Sequence, residues 1–286
     1  MLPGLNGETR LYGVLGHPVR ATLSPAMHNA AFQALGINAV YVAFPVPPAQ
    51  LVAAVRGLVA AGLCGFNLTV PHKTAILPLL DGIEGDAQVM GAVNTVRCAE
   101  GRLTGTNTDG DGFLLSLRHD LDFDPAGRDI LLLGAGGAAR GIAHSLLAAG
   151  AARLRIANRG LERARALVEE CRARFPAARV EALTLEQAPG TRPDLLVNAT
   201  TVGMGDGRAP LDLARVGVRQ AVLDIVYHPA ETPLLAQAGA LGLRRANGVG
   251  MLLQQGWLAF RFWTGREPPL DVMREALQRG LSAREH

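Results

Sequence analysis

Lys73 stands out among the residues that could do chemistry, because it is the only lysine in a chain of 286 residues with 28 basic Lys and Arg side chains. A guanidinium stays protonated near neutral pH, whereas an amine can pass a proton. Lys73 follows an apolar segment that begins at Gly65 and reads as a strand, and ligands bind where the strands of an open α/β sheet end. We therefore interpret Lys73 as a candidate for proton transfer, the alternative being a solvated surface lysine.

Other polar side chains fall at the ends of predicted strands in the first 110 residues. They are Thr22 and Ser24 after the first strand, Thr69 after the third, Asn94 at the start of a later strand, and Asp109. Taken singly, Ser24 and Asp109 fit helix caps, Thr22 and Thr69 fit turns, and Asn94 fits a satisfied buried amide. Taken together, these hydroxyls, amide and carboxylate would suit a small polyhydroxylated acid.

A nucleotide-binding pattern opens the second half of the chain. The apolar strand predicted over Asp129 to Leu133 runs into a GxGxxA turn and then a helix; the turn comprises Gly134, Ala135, Gly136, Gly137, Ala138 and Ala139. Such glycines let the backbone approach a pyrophosphate, and the helix N-terminus attracts its charge. The pattern favours dinucleotide binding over a merely tight turn.

The residues after the next strand bear on which dinucleotide binds. An NAD site places Asp or Glu there, but this chain has Asn158 and Arg159, with Arg163 one helical turn later. Two guanidiniums suit the 2′-phosphate of NADP. The sequence therefore predicts NADP, with two solvated arginines as the alternative.

Alternating strands and helices predict an α/β fold of two domains. We expect residues 1–109 plus 249–286 to form a substrate-binding catalytic domain with a mostly parallel sheet. Residues 110–248 are expected to form a doubly wound Rossmann domain that binds NADP.

Composition excludes several classes of protein. The chain is 49% hydrophobic and 19% charged, with no signal-peptide pattern or long apolar run, so we expect a cytoplasmic protein and no membrane partner. Its three cysteines lack CxxC spacing and its seven histidines form no paired motif, so no metal site is expected. Eight arginines lie between Arg153 and Arg179, but they show no pattern of interleaved aromatic residues, Phe175 being the single aromatic residue among them, which argues against nucleic acid.

Several ordered motifs closely resemble those of the shikimate/quinate dehydrogenase family. They are Gly13–Pro18 with Leu23–Asn29, Gly65–Lys73, Gly91–Thr95, Asn107–Gly110, Gly134–Gly141, Asn158–Arg159, Asn198–Met204, Asp224–Tyr227 and Asn247–Gln255. The resemblance covers nearly the whole chain and implies reversible, NADPH-dependent reduction of 3-dehydroshikimate to shikimate.

The resemblance also implies roles for individual residues. Lys73 and Asp109 match the catalytic pair. The substrate is held at positions matching Thr22 and Ser24 with Tyr227 for the carboxylate, and Thr69, Asn94 and Gln255 for the ring hydroxyls. The cofactor half adds Thr200, Gly248 and Met251 to the nucleotide-binding residues.

Three positions depart from the family pattern. Thr22 replaces the usual serine and adds a methyl group, Ala21 replaces a histidine, and Gly160 replaces a threonine after the Asn-Arg pair. A quinate/shikimate dehydrogenase of broader specificity stays open as an alternative, as does a cofactor-sensing protein without catalysis. We expect a small-molecule substrate and a monomer or homodimer.

Overall fold

Strands and helices alternate along the chain in the computed structural model, which describes residues 4–283. The chain divides into two units, one formed by the described residues up to Asp109 and from Gln255 onward, the other by Gly110–Gln254. Each unit is built on a six-stranded sheet. The predicted α/β class is confirmed.

The elements of the first unit surround its sheet. Its strands are β1 (Arg10–Gly16), β2 (Ala39–Pro45), β3 (Leu63–Leu68), β4 (Gly82–Ile83), β5 (Thr95–Ala99) and β6 (Arg102–Thr106). Its helices up to Asp109 are α1 (Ser24–Ala34), α2 (Leu51–Ala60) and α3 (Ala87–Met90). The strand order is β2-β1-β3-β5-β6-β4, with β1 parallel to β2 and β3, and with β5 antiparallel to β3 and β6.

Helix α1 begins one residue earlier than a capping role for Ser24 would require. Ser24 is the first helical residue, Leu23 at the N-cap position provides no side-chain cap, and the Ser24 N–H donates to Thr22 Oγ1 at 3.3 Å. The N-cap interpretation of Ser24 is therefore wrong; its hydroxyl is instead hydrogen-bonded to Thr22. The helix ends at Ala34, and Gly36 follows Leu35 with a φ of 62°, which favours glycine.

The second unit has a fully parallel sheet. Its strands are β7 (Asp129–Leu133), β8 (Arg153–Ala157), β9 (Arg179–Leu183), β10 (Leu195–Asn198), β11 (Ala221–Asp224) and β12 (Arg244–Asn247). Its helices are α4 (Asp109–Leu121), α5 (Gly137–Ala148), α6 (Leu161–Arg174), α7 (Leu213–Val216) and α8 (Pro233–Ala240). The order β12-β11-β10-β7-β8-β9 is doubly wound, and it reverses between β7 and β10, where such sheets bind ligands.

Helix α9 (Val249–Thr264) crosses the boundary between the units, and α10 (Leu270–Ser282) follows it. Met251 in the first turn of α9 packs on the core of the second unit. Further along, Gly256 lies against Met27 of the first unit, where a Cβ atom would come within 2.3 Å of the Met27 methyl carbon. The sequence interpretation gave all of α9 to the first domain, whereas contacts place residues up to Gln254 in the second.

Candidate functional site

Lys73 and Asp109 form an ion pair in the first unit. Lys73 Nζ lies 2.6 Å from Asp109 Oδ2, and the two side chains are 33% and 22% exposed. This partial burial strengthens their attraction relative to a pair in open water. Among the described residues no other carboxylate pairs with Lys73, so the amine keeps donor capacity for another partner.

Asn94 holds the second oxygen of the same carboxylate. Its Nδ2 donates to Asp109 Oδ1 at 2.9 Å, while its Oδ1 accepts from the Thr108 backbone N–H at 2.8 Å. Asn94 is 2% exposed and lies immediately before β5, whereas the sequence interpretation placed it within the start of that strand. The structure thus brings Lys73, Asn94 and Asp109 together.

Hydrogen bonds of backbone N–H groups fix the segments that carry Lys73, Asn94 and Asp109. The Val93 N–H donates to the Lys73 carbonyl at 2.8 Å, which fastens the turn after β3 to the segment before β5. The Asn107 side chain accepts from the Asp109 N–H at 3.0 Å, where α4 begins. Asp109 therefore opens the helix while its carboxylate binds Lys73, not the helix N-terminus.

Thr22 lies on the loop after β1, Ser24 is the first residue of α1 at the end of that loop, and Thr69 lies on the loop after β3. Thr22 Oγ1 donates to Ser24 Oγ at 3.1 Å. The Thr69 N–H donates to the Leu15 carbonyl at 3.0 Å, and a Cβ on Gly16 would come within 2.3 Å of the Thr69 methyl. The two loops are therefore joined at the carboxyl ends of neighbouring parallel strands, as the sequence pattern requires.

Two further substrate-binding candidates lie elsewhere in the chain. Gln255 is a half-buried residue of α9 and belongs to the first unit. Tyr227 is half-buried in the turn after β11 and belongs to the second unit.

The GxGxxA segment forms the turn between β7 and α5. Gly134 has a φ of 107°, and a Cβ there would lie 3.1 Å from the Ala199 carbonyl oxygen, so both backbone angle and space require glycine. Gly136, Gly137 and Ala138 are exposed, with open space beside both glycines. No described side chain caps α5, so its first N–H groups are available to an anion.

Arg159 lies two residues before α6, Arg163 lies in the first turn of α6, and both are exposed. Neither guanidinium forms an ion pair or side-chain hydrogen bond with any residue between 4 and 283. Arg165, on the same helix, binds Glu162 at 2.8 Å. The Asn158 amide donates to the Gly160 carbonyl at 2.9 Å, which shapes the turn that presents the two arginines.

The remaining cofactor candidates lie at the ends of β10 and β12. Thr200 Oγ1 donates to Asn198 Oδ1 at 2.7 Å, which fixes the loop beside Gly134. A Cβ on Gly248 would come within 2.0 Å of the Ile225 carbonyl oxygen, so only glycine permits this approach. Met251 is half-buried in the first turn of α9.

The buried carboxyl group of Asp224 and the buried amide of Asn198 fix the backbone at the ends of β11 and β10. Neither of them was named as a site residue from the sequence. Asp224 is fully buried, and its oxygens accept from Asn198 Nδ2, the Val226 N–H and Thr232 Oγ1. Burial raises the pKa of Asp224, while these hydrogen bonds oppose the rise. In the sequence, Asn198 and Asp224 open the motifs Asn198–Met204 and Asp224–Tyr227, but their roles in the site were not assigned.

Between residues 4 and 283 no helix is both long and apolar enough to span a bilayer. Nor do the described His, Cys, Asp and Glu side chains gather in a group of three or more that could hold a metal ion. Several arginines of the basic cluster are paired, among them Arg155 with Asp129 at 2.7 Å and Arg172 with Glu169 at 3.0 Å.

Three family profiles match the chain. The shikimate dehydrogenase substrate binding domain matches residues 14–96, the shikimate / quinate 5-dehydrogenase domain matches residues 118–201, and the shikimate 5'-dehydrogenase C-terminal domain matches residues 248–278.

Individual proteins of known identity are similar to this chain over nearly its whole length. The chain is 50% identical over 283 residues to a shikimate dehydrogenase (NADP(+)) of Geobacter sp. strain M21, covering 97% of this chain and 98% of that protein. The crystal structure of shikimate 5-dehydrogenase from Thermus thermophilus with NADP(H) and shikimate has a TM-score of 0.85 at 42% identity, covering 96% and 100% of the two chains. A quinate dehydrogenase of Corynebacterium glutamicum in complex with NAD has a TM-score of 0.86 at 32% identity, covering 95% and 99%.

Proposed function

The chain belongs to the shikimate dehydrogenase family, and we propose that Lys73 and Asp109 are its catalytic pair. It is an NADP-dependent oxidoreductase that interconverts 3-dehydroshikimate and shikimate. The observation that carries the residue assignment is the 2.6 Å contact between Lys73 Nζ and Asp109 Oδ2, held from the other side by Asn94.

The residues of the second unit fit NADP. The N-terminus of α5, which no described side chain caps, and the open space at Gly136 and Gly137 suit the pyrophosphate. The exposed guanidiniums of Arg159 and Arg163 suit the 2′-phosphate, because a cation that pairs with no described carboxylate loses no ion pair on binding it. NADPH, when bound, supplies the hydride.

Lys73 is the proposed proton donor to the substrate carbonyl. Reduction places alkoxide character on that oxygen, and an ammonium group beside it stabilises the charge and donates a proton. Asp109 orients the ammonium, since its own position is fixed by Asn94 through Oδ1. In the oxidising direction Lys73 accepts the proton from the hydroxyl. The two groups form a tight pair and act as one unit in exchanging the proton with solvent.

The remaining substrate contacts are proposed from the family pattern. Thr22, Ser24 and Tyr227 would hold the carboxylate, and Thr69, Asn94 and Gln255 would hold the ring hydroxyls. The hydrogen bond that links Thr22 to Ser24 and the joined loops after β1 and β3 support the first part of this set. For the cofactor we propose Gly134, Ala135, Ala138, Asn158, Thr200, Gly248 and Met251 beside the groups named above.

Steady-state kinetics of Lys73→Arg test the assignment. This variant keeps the positive charge but cannot transfer a proton, so we expect KM to stay within about tenfold and kcat to fall by about 10²- to 10⁴-fold. Asp109→Asn, which preserves shape and removes the charge, should also lower kcat. Arg56→Lys, an exposed exchange on α2, is the control and should leave kcat unchanged. A Lys73→Arg enzyme with parental turnover would exclude proton transfer by Lys73.

The same assay separates this function from the two alternatives. Turnover of shikimate with NADP excludes a binding protein without catalysis, and equal turnover of quinate would indicate broader specificity. We further propose a cytoplasmic monomer or homodimer, which accords with three cysteines that form no disulfide in the structure.

A further inference from the structure

A chain of buried hydrogen bonds leads from the interior of the first unit to Asp109. Tyr41 OH donates to Asn67 Oδ1 at 2.7 Å, and Asn67 Nδ2 donates to Thr95 Oγ1 at 2.9 Å. Thr95 Oγ1 donates in turn to Asn94 Oδ1 at 2.9 Å, and Asn94 Nδ2 donates to Asp109 Oδ1. Each donor in this chain points toward the carboxylate that binds Lys73.

The members of the chain have little freedom to rearrange. Tyr41, Asn67, Thr95 and Asn94 are all less than 10% exposed. Both N–H bonds of Asn67 are used, because Nδ2 also donates to the Asn94 carbonyl at 3.0 Å. Burial raises the pKa of Tyr41, so its hydroxyl stays protonated and remains a donor.

The Asn94 amide matters most for the carboxylate. If its side chain turned over, Oδ1 instead of Nδ2 would face Asp109 and repel it. The hydroxyl of Thr95, together with the Thr108 backbone N–H, holds Oδ1 on the far side. A buried network of this kind is strong only while every member is satisfied.

We propose that Thr95 is a positioning residue for the catalytic pair, and that it acts with Asn67 by fixing the orientation of the Asn94 amide against Asp109. This inference rests on the proposed function. Thr95 forms no hydrogen bond with Lys73 or Asp109 and needs no contact with substrate. Its hydroxyl lies 2.9 Å from Asn94 Oδ1 and 3.2 Å from Thr108 Oγ1, which itself accepts a hydrogen bond from Asn94 Nδ2. Its contribution to the reaction therefore passes through the orientation of the Asn94 amide.

Thr95→Val tests the inference, because valine keeps the branched shape and removes only the hydroxyl. We expect kcat to fall about tenfold, the equivalent of one hydrogen bond, with KM for NADP unchanged. Thr95→Ser retains the hydroxyl and should restore kcat to within about twofold of the parent. A purely structural role would lower thermal stability in both variants and leave kcat per folded molecule unchanged.

A double-mutant cycle identifies the route. In an Asp109→Asn background, Thr95→Val should cause little further loss of kcat, because the residue through which it acts is already altered. Independent, multiplying effects would overturn the inference, as would a folded Thr95→Val enzyme with parental kcat. Should Thr95→Val fail to fold, Tyr41→Phe decides instead: a several-fold loss of kcat is expected, and parental kcat overturns the inference.

The same series separates this inference from the proposed function. Parental activity of Asp109→Asn would remove the proposed catalytic pair itself. An impaired Asp109→Asn beside an unimpaired Thr95→Val would remove only the role given to Thr95.

Discussion

Thr22 stands where the family usually has a serine, and we expect this replacement to affect which substrate the enzyme prefers. Its hydroxyl is 3.1 Å from that of Ser24, and its methyl group adds bulk to the proposed carboxylate site. Quinate has an extra hydroxyl on the carbon bearing the carboxylate. A methyl-sized difference discriminates by about 1 to 3 kcal/mol, so we predict at least a tenfold preference for shikimate over quinate in kcat/KM.

Variants at Thr22 measure that contribution. Thr22→Ser should narrow the preference, and Thr22→Ala should weaken binding of both acids because the hydroxyl is lost. The control is Thr9→Ser, just before the amino end of β1, which should leave the ratio of the two kcat/KM values unchanged. A parent enzyme that oxidises quinate as efficiently as shikimate would refute the steric explanation without affecting the catalytic pair.

At the residue scale, the sequence indicates candidate site residues more readily than the contacts that hold them. Lys73 was conspicuous because it is unique in composition, and the structure joins it to Asp109. The positioning roles of Asn67 and Thr95 were harder to predict. A polar residue in an apolar strand implies a hydrogen-bond partner, but the sequence does not reveal which residue that partner is. Ser24 was assigned to the wrong partner because a serine before Pro25 also satisfies the pattern of a helix cap.

At the element scale, a strand can be predicted from the sequence when its residues form a clear apolar pattern. Strand β7 has the bounds Asp129–Leu133 that the sequence predicts, because its buried apolar residues end at a glycine. Strand β12 has no apolar pattern by which a sequence could indicate it, because exposed Arg244 and Arg245 occupy half of it; as an edge strand it needs little burial. The proline-led helix after β2 begins as a short 3-10 turn, Pro48–Gln50, before α2.

The start of α6 should control cofactor choice. Arg159→Asp places a carboxylate where the 2′-phosphate of NADP is proposed to bind, so the preference for NADP over NAD should reverse. Losing one charge-assisted contact of about 1.5 to 3 kcal/mol alone predicts roughly a ten- to hundredfold fall in kcat/KM for NADP.

Arg165→Asp is the matched control for that experiment. It makes the same charge change six residues further along the chain, within α6, but Arg165 is already paired with Glu162. Kinetics with each cofactor should show an unchanged preference in this control. Equal use of NADP and NAD by the parent enzyme would contradict the assignment, and Gly160 would then be the residue to examine.

At the scale of the whole molecule, His28 links folding to pH. Its ring is fully buried on α1, stacked 4.4 Å from Tyr41, and neither ring nitrogen has a hydrogen-bond partner among the described residues. Burial lowers the pKa of His28 to about 3. In the unfolded chain, where a histidine has a pKa near 6.5, the His28 ring binds a proton as the pH falls below that value. In the folded protein the buried ring stays neutral over the same range. Stability should therefore be complete above about pH 6.5 and fall as the pH drops toward 3.

We predict that His28→Leu flattens this dependence. One histidine contributes a slope of at most about 1.4 kcal/mol per pH unit to the free energy of unfolding below its unfolded pKa, and leucine removes it. The measurement is urea unfolding of parent and variant at about pH 7.5 and about pH 5, comparing the loss between the two conditions and not the absolute stability, which repacking also changes. His119→Gln, an exposed histidine on α4, is the control and should keep the parental slope. Some acid sensitivity should persist in the variant, because burial also lowers the pKa of His144. If the free energy of unfolding changed equally with pH in the parent and in His28→Leu, His28 would be shown to bind its proton in the folded state as readily as in the unfolded chain.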